Sequence, residues 1–259
     1  ERRMRVESNP KSQLHEQFYA TAFLNSPRRI PVIGWMGDLE NMQMEDAADW
    51  YRQWYAPNNA TLVVVGDVDS AEVIRLANQY FAQIEPSDIK PPKLRPEIVQ
   101  KGERRIKLYG QTASPYMIMG YKVPVVSTAK DKLKDVYALD VLSAILDGGS
   151  SARIAMKMLR GDEIAVDAGT SYDPFDRLGG MFLFAGTPNK GIQPAQLEQA
   201  FIDEIKDLRN TPVTKQELER VKAQVIASKV FERDSMFYTG MQIGMLDSAG
   251  HDWRLLDSY

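Results

Sequence analysis

The sequence predicts an α+β chain made of two units joined by a proline-rich segment, and three observations carry that expectation. Thr61-Leu62-Val63-Val64-Val65 is an apolar, β-branched run that leads through a Gly66 turn into a helical pattern. The same order recurs over Met181–Leu208, as an apolar strand, a turn at Gly186 and an amphipathic helix. The residue identities of the two stretches match poorly, so chance repetition stays open beside true duplication. Between them Pro86, Pro91, Pro92 and Pro96 sit among charges, and proline removes ladder donors and resists helix. A domain boundary is therefore expected there. At 259 residues the chain is too long for one minimal core and too short for three ordinary domains.

The elements follow in order. Leu14, Phe18, Ala22 and Phe23 recur at helical spacing, with Ser12 placed to cap the helix and Pro27 and Pro31 turning the chain after it. Ala48, Tyr51 or Trp50, and Trp54 share a stripe that predicts a helix from about Glu45 to Tyr55, ended by Pro57-Asn58-Asn59. The run at 61–65 predicts a strand buried on one or both faces. The helix after it, from about Ser70 to Ile84, carries Val73, Ile74, Ala77, Tyr80, Phe81 and Ile84 on one side. Beyond the proline-rich stretch, strands are predicted at Arg104–Tyr109 and Tyr116–Val123, then a long helix from about Asp131 to Leu146. Asp147-Gly148-Gly149-Ser150-Ser151 breaks that helix and opens another reaching about Leu159. Glu163–Tyr172 and Met181–Ala185 read as a hairpin across the turn from Pro174 to Gly180. Pro194–Leu208 is helical, and Thr214-Lys215-Gln216-Glu217 has the spacing of a capping box opening a further helix.

Composition removes several function classes. With 32 Lys and Arg against 35 Asp and Glu, the net charge of −3 leaves no electrostatic footprint for nucleic acid. No run of eighteen apolar residues and no signal-peptide pattern lies within these residues. The absence of Cys excludes thiolate metal sites and thiol nucleophiles, and the two His, His15 and His251, are far apart in sequence. A self-contained zinc catalyst is not expected.

Each candidate site has a plainer reading beside it. His15-Glu16 resembles the start of a two-histidine zinc helix, but Tyr19 stands where the second histidine belongs, so His15 reads as a surface helical residue. The Asp147–Ser151 turn could bind an anion at a helix start, yet it lacks a phosphate-loop lysine and reads as a capping turn. Arg160 precedes a strand and could hold a peptide carbonyl or carboxylate there; complementing the helix dipole explains it equally well. Met117, Met119, Met156, Met158, Met236, Met241 and Met245 could line an adaptable groove or fill core, with core filling the simpler account. Trp35, Trp50, Trp54 and Tyr55 likewise read as packing residues that could also serve a partner interface.

The ordered strings say more than any single residue. Glu1-Arg2-Arg3-Met4-Arg5, Pro31-Val32-Ile33-Gly34-Trp35 and the stretch from Tyr55 to Val68 resemble the pitrilysin/insulinase-like (M16) zinc peptidases, the family that includes mitochondrial processing peptidases. Leu146-Asp147-Gly148-Gly149-Ser150-Ser151-Ala152-Arg153 and Met158-Leu159-Arg160 continue the match. The resemblance, to a bacterial processing-peptidase-like member, implies two homologous α+β domains with antiparallel-rich sheets backed by helices, in a processing-peptidase/LuxS-metallohydrolase-like fold. Residues 1–84 would be the later part of the first domain, 85–97 the linker, and 98–259 the second, non-catalytic domain. The family's His-x-x-Glu-His signature is not present, and the resemblance places it upstream of Glu1, with the third-ligand Glu also before the Glu-Arg-Arg stretch. Glu1 then reads as a point at which a longer chain has been cut.

The same resemblance implies the chemistry. The parent would be a zinc metalloendopeptidase acting on peptides or unfolded polypeptides, with zinc held outside these residues and none bound here. This portion, inactive alone, would supply chamber wall and interface. Some members place an Arg and a Tyr from the second domain on the substrate backbone. Arg160 falls on the Arg position, while the Tyr position falls near Val166 or Asp167, neither of which has a phenol. A homo- or heterodimer with a related subunit that supplies the clamp is implied, and an exported, periplasmic location is favoured over a cytoplasmic one. The alternative is a non-catalytic structural or partner subunit of the same descent.

Overall fold

The computed structural model describes residues 1–129 and 131–258. Helices α1 (Arg2–Glu7) and α2 (Pro10–Ala22) open the chain. The helix starts earlier than Ser12, because Asn9 Oδ1 accepts the N–H groups of Lys11 and Ser12 and Pro10 has no N–H to lose. Next come α3 (Met36–Asn41), α4 (Met44–Trp54) and α5 (Ser70–Phe81). Asp69 caps α5 by accepting from Glu72 N–H at 2.9 Å. The run at 61–65 is extended but pairs with no strand among the described residues, and Leu62 and Val64 are 62% and 45% exposed. Arg104–Tyr109 also stays outside any ladder. Both departures have one cause: β-branched sequence favours extension, but a strand exists only where a neighbour takes its N–H and C=O groups.

Among the described residues, regular β structure is confined to β1 (Met117–Val123), β2 (Ala165–Ser171) and β3 (Gly180–Pro188), an antiparallel sheet in the order β1-β3-β2. The expected hairpin is present, with Thr170 opposite Phe184, and β1 pairs on the other side with Met119 opposite Phe184. Gly186 lies within β3 and not at a turn. A Cβ there would come within 2.7 Å of the Asp167 carbonyl and 3.0 Å of Leu197, so the residue is needed for close approach. The turn falls later, where Gly191 has φ +85°. The repeated order seen in the sequence thus yields a paired strand only in its second occurrence.

Strand alternation gives the sheet two covered faces. Phe182 and Phe184 face helices α7 (Leu133–Asp147) and α8 (Pro194–Asn210), where they join Leu146, Leu197, Phe201, Ile154 and Met158 in the core. A short helix α6 (Val126–Ala129) precedes α7, so the single helix expected from Asp131 begins later. On the opposite face Phe18 of α2 reaches Gly120, where a Cβ would lie 2.8 Å from its ring and 2.5 Å from Met181. After α7 the expected helix to Leu159 is a π-helical turn, Ala155–Leu159.

The chain ends in α9 (Lys215–Glu232), α10 (Met236–Ser248) and α11 (Leu255–Ser258). Thr214 Oγ1 accepts from Glu217 N–H at 3.2 Å, as its spacing predicts. No helix among the described residues is long and apolar enough to cross a membrane.

Candidate functional site

The stretch from the end of α7 to the start of β2 holds most of the predicted candidates. Asp147 ends α7, and Gly149 turns the chain with φ +108°. One Asp147 carboxylate oxygen accepts from Thr170 N–H on β2 at 2.9 Å, an approach open only because Gly169 has no side chain. Burial raises the Asp147 carboxyl, the Thr170 bond lowers it and the nearby Asp167 charge raises it again, for a net rise. Ser151 Oγ is taken by Arg220 at 2.9 Å. A turn held this way, with a carboxylate inside it, repels an anion. It breaks the helix as expected, but neither serine supplies the expected cap: the following helical turn has no side-chain cap bond, and Ser151 accepts from Arg220 instead.

Arg160 follows the π-helical turn and is exposed, with Nη2 2.9 Å from Met156 Sδ and Nε 3.5 Å from the Ala155 carbonyl. Its guanidinium therefore folds back along the turn in this state. No phenol stands at Val166 or Asp167, and Val166 is 67% exposed. Tyr172 donates to the Pro124 carbonyl at 2.7 Å, and burial, with Asp140 and Asp173 nearby, pushes its phenol up to about 12. Tyr116 lies at the start of β1, also raised by burial and by the Asp167 charge.

His15 departs from its surface reading. It is half-buried on α2 with its ring 6.1 Å from that of Tyr116, and burial lowers its pKa. Lys11, one turn earlier, lies 4.4 Å over the same Tyr116 ring and donates to Thr187 Oγ1 at 3.3 Å. Glu16 is held by Arg3 through bonds of 2.6 and 2.8 Å. Among the described residues no three His, Asp or Glu side chains converge as a metal site. These residues do not fit a zinc ion.

The methionines divide. Met158 is buried in the core with Met117 and Met119 packed against it, whereas Met156, Met236, Met241 and Met245 are exposed. Met236, Phe237, Gly240 and Met241 of α10 face Val63 and Val65 across a cleft of about 310 Å³. A Cβ at Gly240 or Gly244 would meet Val65 and Val63 at 3.5 and 3.7 Å, ordinary contact distances, so the run and α10 approach without requiring glycine there. Trp50 is 58% exposed and packs edge-on against Tyr55.

One cluster escaped the sequence reading. Glu204 of α8 is 3% exposed and accepts from Lys157 Nζ at 2.5 Å and from Arg153 at 3.2 Å. Arg153 also forms a two-pronged pair with Glu217 of α9, both bonds 2.9 Å, which pulls that carboxyl below its usual range. The network ties the π-helical turn to α8 and α9. A signal existed: Glu204 occupies the apolar stripe of α8 with Leu197, Phe201 and Leu208, where a carboxylate needs a partner.

Together, the described residues form a small antiparallel sheet backed by helices, with a charge-braced turn beside it. The chain belongs to the peptidase M16 family, and residues 41–225 match that family's inactive domain. It is 29% identical over 225 residues to the zinc protease PqqE of Helicobacter pylori, covering 86% of this chain and 49% of that protein. A crystal structure of a protease from Helicobacter pylori superposes with a TM-score of 0.86 at 24% identity, over 100% of this chain and 66% of the other. The periplasmic protease PqqL from Escherichia coli superposes with a TM-score of 0.72 at 15% identity, over 99% of this chain and 30% of that one. The chain thus spans about half the length of the curated relative it matches.

Proposed function

We propose that this chain is the part of a zinc endopeptidase that forms chamber wall and domain interface, while the zinc-holding residues lie elsewhere in the polypeptide. The observation that carries the reading is the match to the family's inactive domain. The apolar surface of residues 44–84 supports it: Trp50, Tyr51, Leu62, Ile74 and Tyr80 are all more than half exposed, as expected of a face that packs on further protein. In this reading residues 1–84 belong to the first domain, 85–97 link, and 98–259 form the second. A zinc ion held by the other part would supply the Lewis acid for the scissile carbonyl and the activated water. Arg160 swings off the π-helical turn to meet the substrate backbone, and a related subunit completes the clamp. The substrate is a peptide or unfolded polypeptide, and the likeness to a periplasmic protease favours export.

The test compares the 259-residue chain with the polypeptide extended upstream. The chain alone is expected to bind no stoichiometric zinc and to cleave no unfolded peptide, and the extended form to do both. One tightly bound zinc per 259-residue chain overturns the reading. A second reading, a structural subunit without activity, rests on the match being to an inactive domain. Lack of His-x-x-Glu-His upstream of Glu1 would establish it over the first.

A further inference from the structure

Glu97 stands at the end of the proline-rich stretch, in a segment with no helix or strand, yet its side chain is only 12% exposed. Its two oxygens accept from three successive backbone N–H groups: Leu24 at 3.0 and 3.1 Å, Asn25 at 2.9 Å and Ser26 at 3.0 Å. Lys122 Nζ of β1 donates to it at 3.1 Å, and an Arg104 nitrogen lies 3.9 Å away. Burial alone would raise this carboxyl; the bonds from Ser26, Leu24, Asn25 and Lys122 outweigh it and hold the group at about 2.

The surroundings separate the receptor from its occupant. Arg104 is fixed independently, donating to the Thr21 and Ala22 carbonyls at 3.1 and 2.6 Å, where α2 ends and its last carbonyls need donors. Lys122 is carried by the sheet and lies 5.0 Å over the ring of Phe23, itself 2% exposed. Glu97, in contrast, is flanked by Leu94 and Val99, each 86% exposed, and the one nearby bond of its segment to residues 24–26 is Asn25 Nδ2 to the Pro96 carbonyl at 2.9 Å. Converging N–H groups backed by two cations form an oxyanion-binding concavity of the kind that backbone turns provide. The receptor's N–H groups lie in the bend between the end of α2 and the 3-10 turn at Pro27–Arg29, with Lys122 on β1 beside them, and the occupant rides on an irregular strap.

We propose that the N–H groups of residues 24–26, with Lys122 and Arg104, form a carboxylate-binding site of which Glu97 is the built-in occupant. A free carboxylate takes the same place when Glu97 is removed. The Glu97 side chain then acts as a latch that closes the strap over the site. This inference is independent of any zinc chemistry.

The probe is acetate, with chloride at equal ionic strength as control, on the 259-residue chain carrying Glu97→Ala and on the unchanged chain. In Glu97→Ala the amides of Leu24, Asn25 and Ser26 are expected to exchange about ten- to a hundredfold faster, the loss of a charge-assisted bond. Acetate should restore protection and shift those three amide resonances, and Lys122→Met added to Glu97→Ala should weaken the acetate response. Equal amide shifts with acetate in the unchanged chain, or none in Glu97→Ala, would overturn the proposal. Should Glu97→Ala not fold, the unchanged chain is titrated with acid instead. The three amides should then move together with a midpoint at about 2, the value at which Glu97 is held, and a midpoint in the ordinary carboxylate range refutes the site.

Discussion

Replacing either end of the Arg153–Glu204 pair removes the same contact, yet the two changes should differ severalfold in cost. Glu204→Leu leaves Arg153 with its two bonds to Glu217 at 2.9 Å and Asp207 at 3.6 Å. Lys157, about half exposed, keeps Asp207 at 3.1 Å, and the new leucine extends the apolar stripe of α8. With both cations still paired, the loss should be about 1 kcal/mol. Arg153→Met instead takes from Glu204, 3% exposed, one of its two cations, leaving Lys157 at 2.5 Å, and strips Glu217 of its two-pronged partner. Breaking a buried pair in that direction costs about 3–5 kcal/mol. Urea unfolding followed by far-UV circular dichroism gives both values, and the double variant gives the coupling. The reasoning fails if Glu204→Leu costs as much as Arg153→Met, or if the coupling falls below about 0.5 kcal/mol.

Two further predictions concern acid. A Glu97 carboxyl held at about 2 against an ordinary 4.5 links to about 3 kcal/mol of stability. Because the folded value is depressed, that contribution is complete above 4.5 and lost as pH falls toward 2; Glu97→Gln should flatten that part of a stability profile, and an unchanged slope would count against it. His15 titrates below its ordinary 6.5 because burial disfavours its charged form, so stability should decline as pH drops through 6.5. His15→Phe keeps the contact with Tyr116 and should remove that decline, measured as the urea midpoint against pH; persistence of the full decline would place its source elsewhere.

Local elements were legible where local chemistry decides them. The Thr214 cap places α9, Pro194 and the apolar repeat place α8, and the hairpin of β2 and β3 follows from two apolar runs across a glycine-containing turn. The failures share a cause. Thr61–Val65 reads as a buried strand, but pairing depends on a neighbour distant in sequence or outside these residues. Ser12 and Asn9 are equally good caps by type, and Pro10 decides between them. His15 looks like a surface residue until Tyr116, far along the chain, is found against its ring.

The sequence by itself determined the α+β class, the family, and the lack of a His-x-x-Glu-His string in these residues, because periodicity, capping and ordered motifs are written in neighbouring positions. Only the tertiary structure decided that Phe18 of α2 covers the sheet face opposite α7 and α8. It alone brought Glu204 between Arg153 and Lys157, and Glu97 onto the amides of residues 24–26. Those contacts join residues tens of positions apart, and a buried charge finds its partner through folding, which no local pattern encodes.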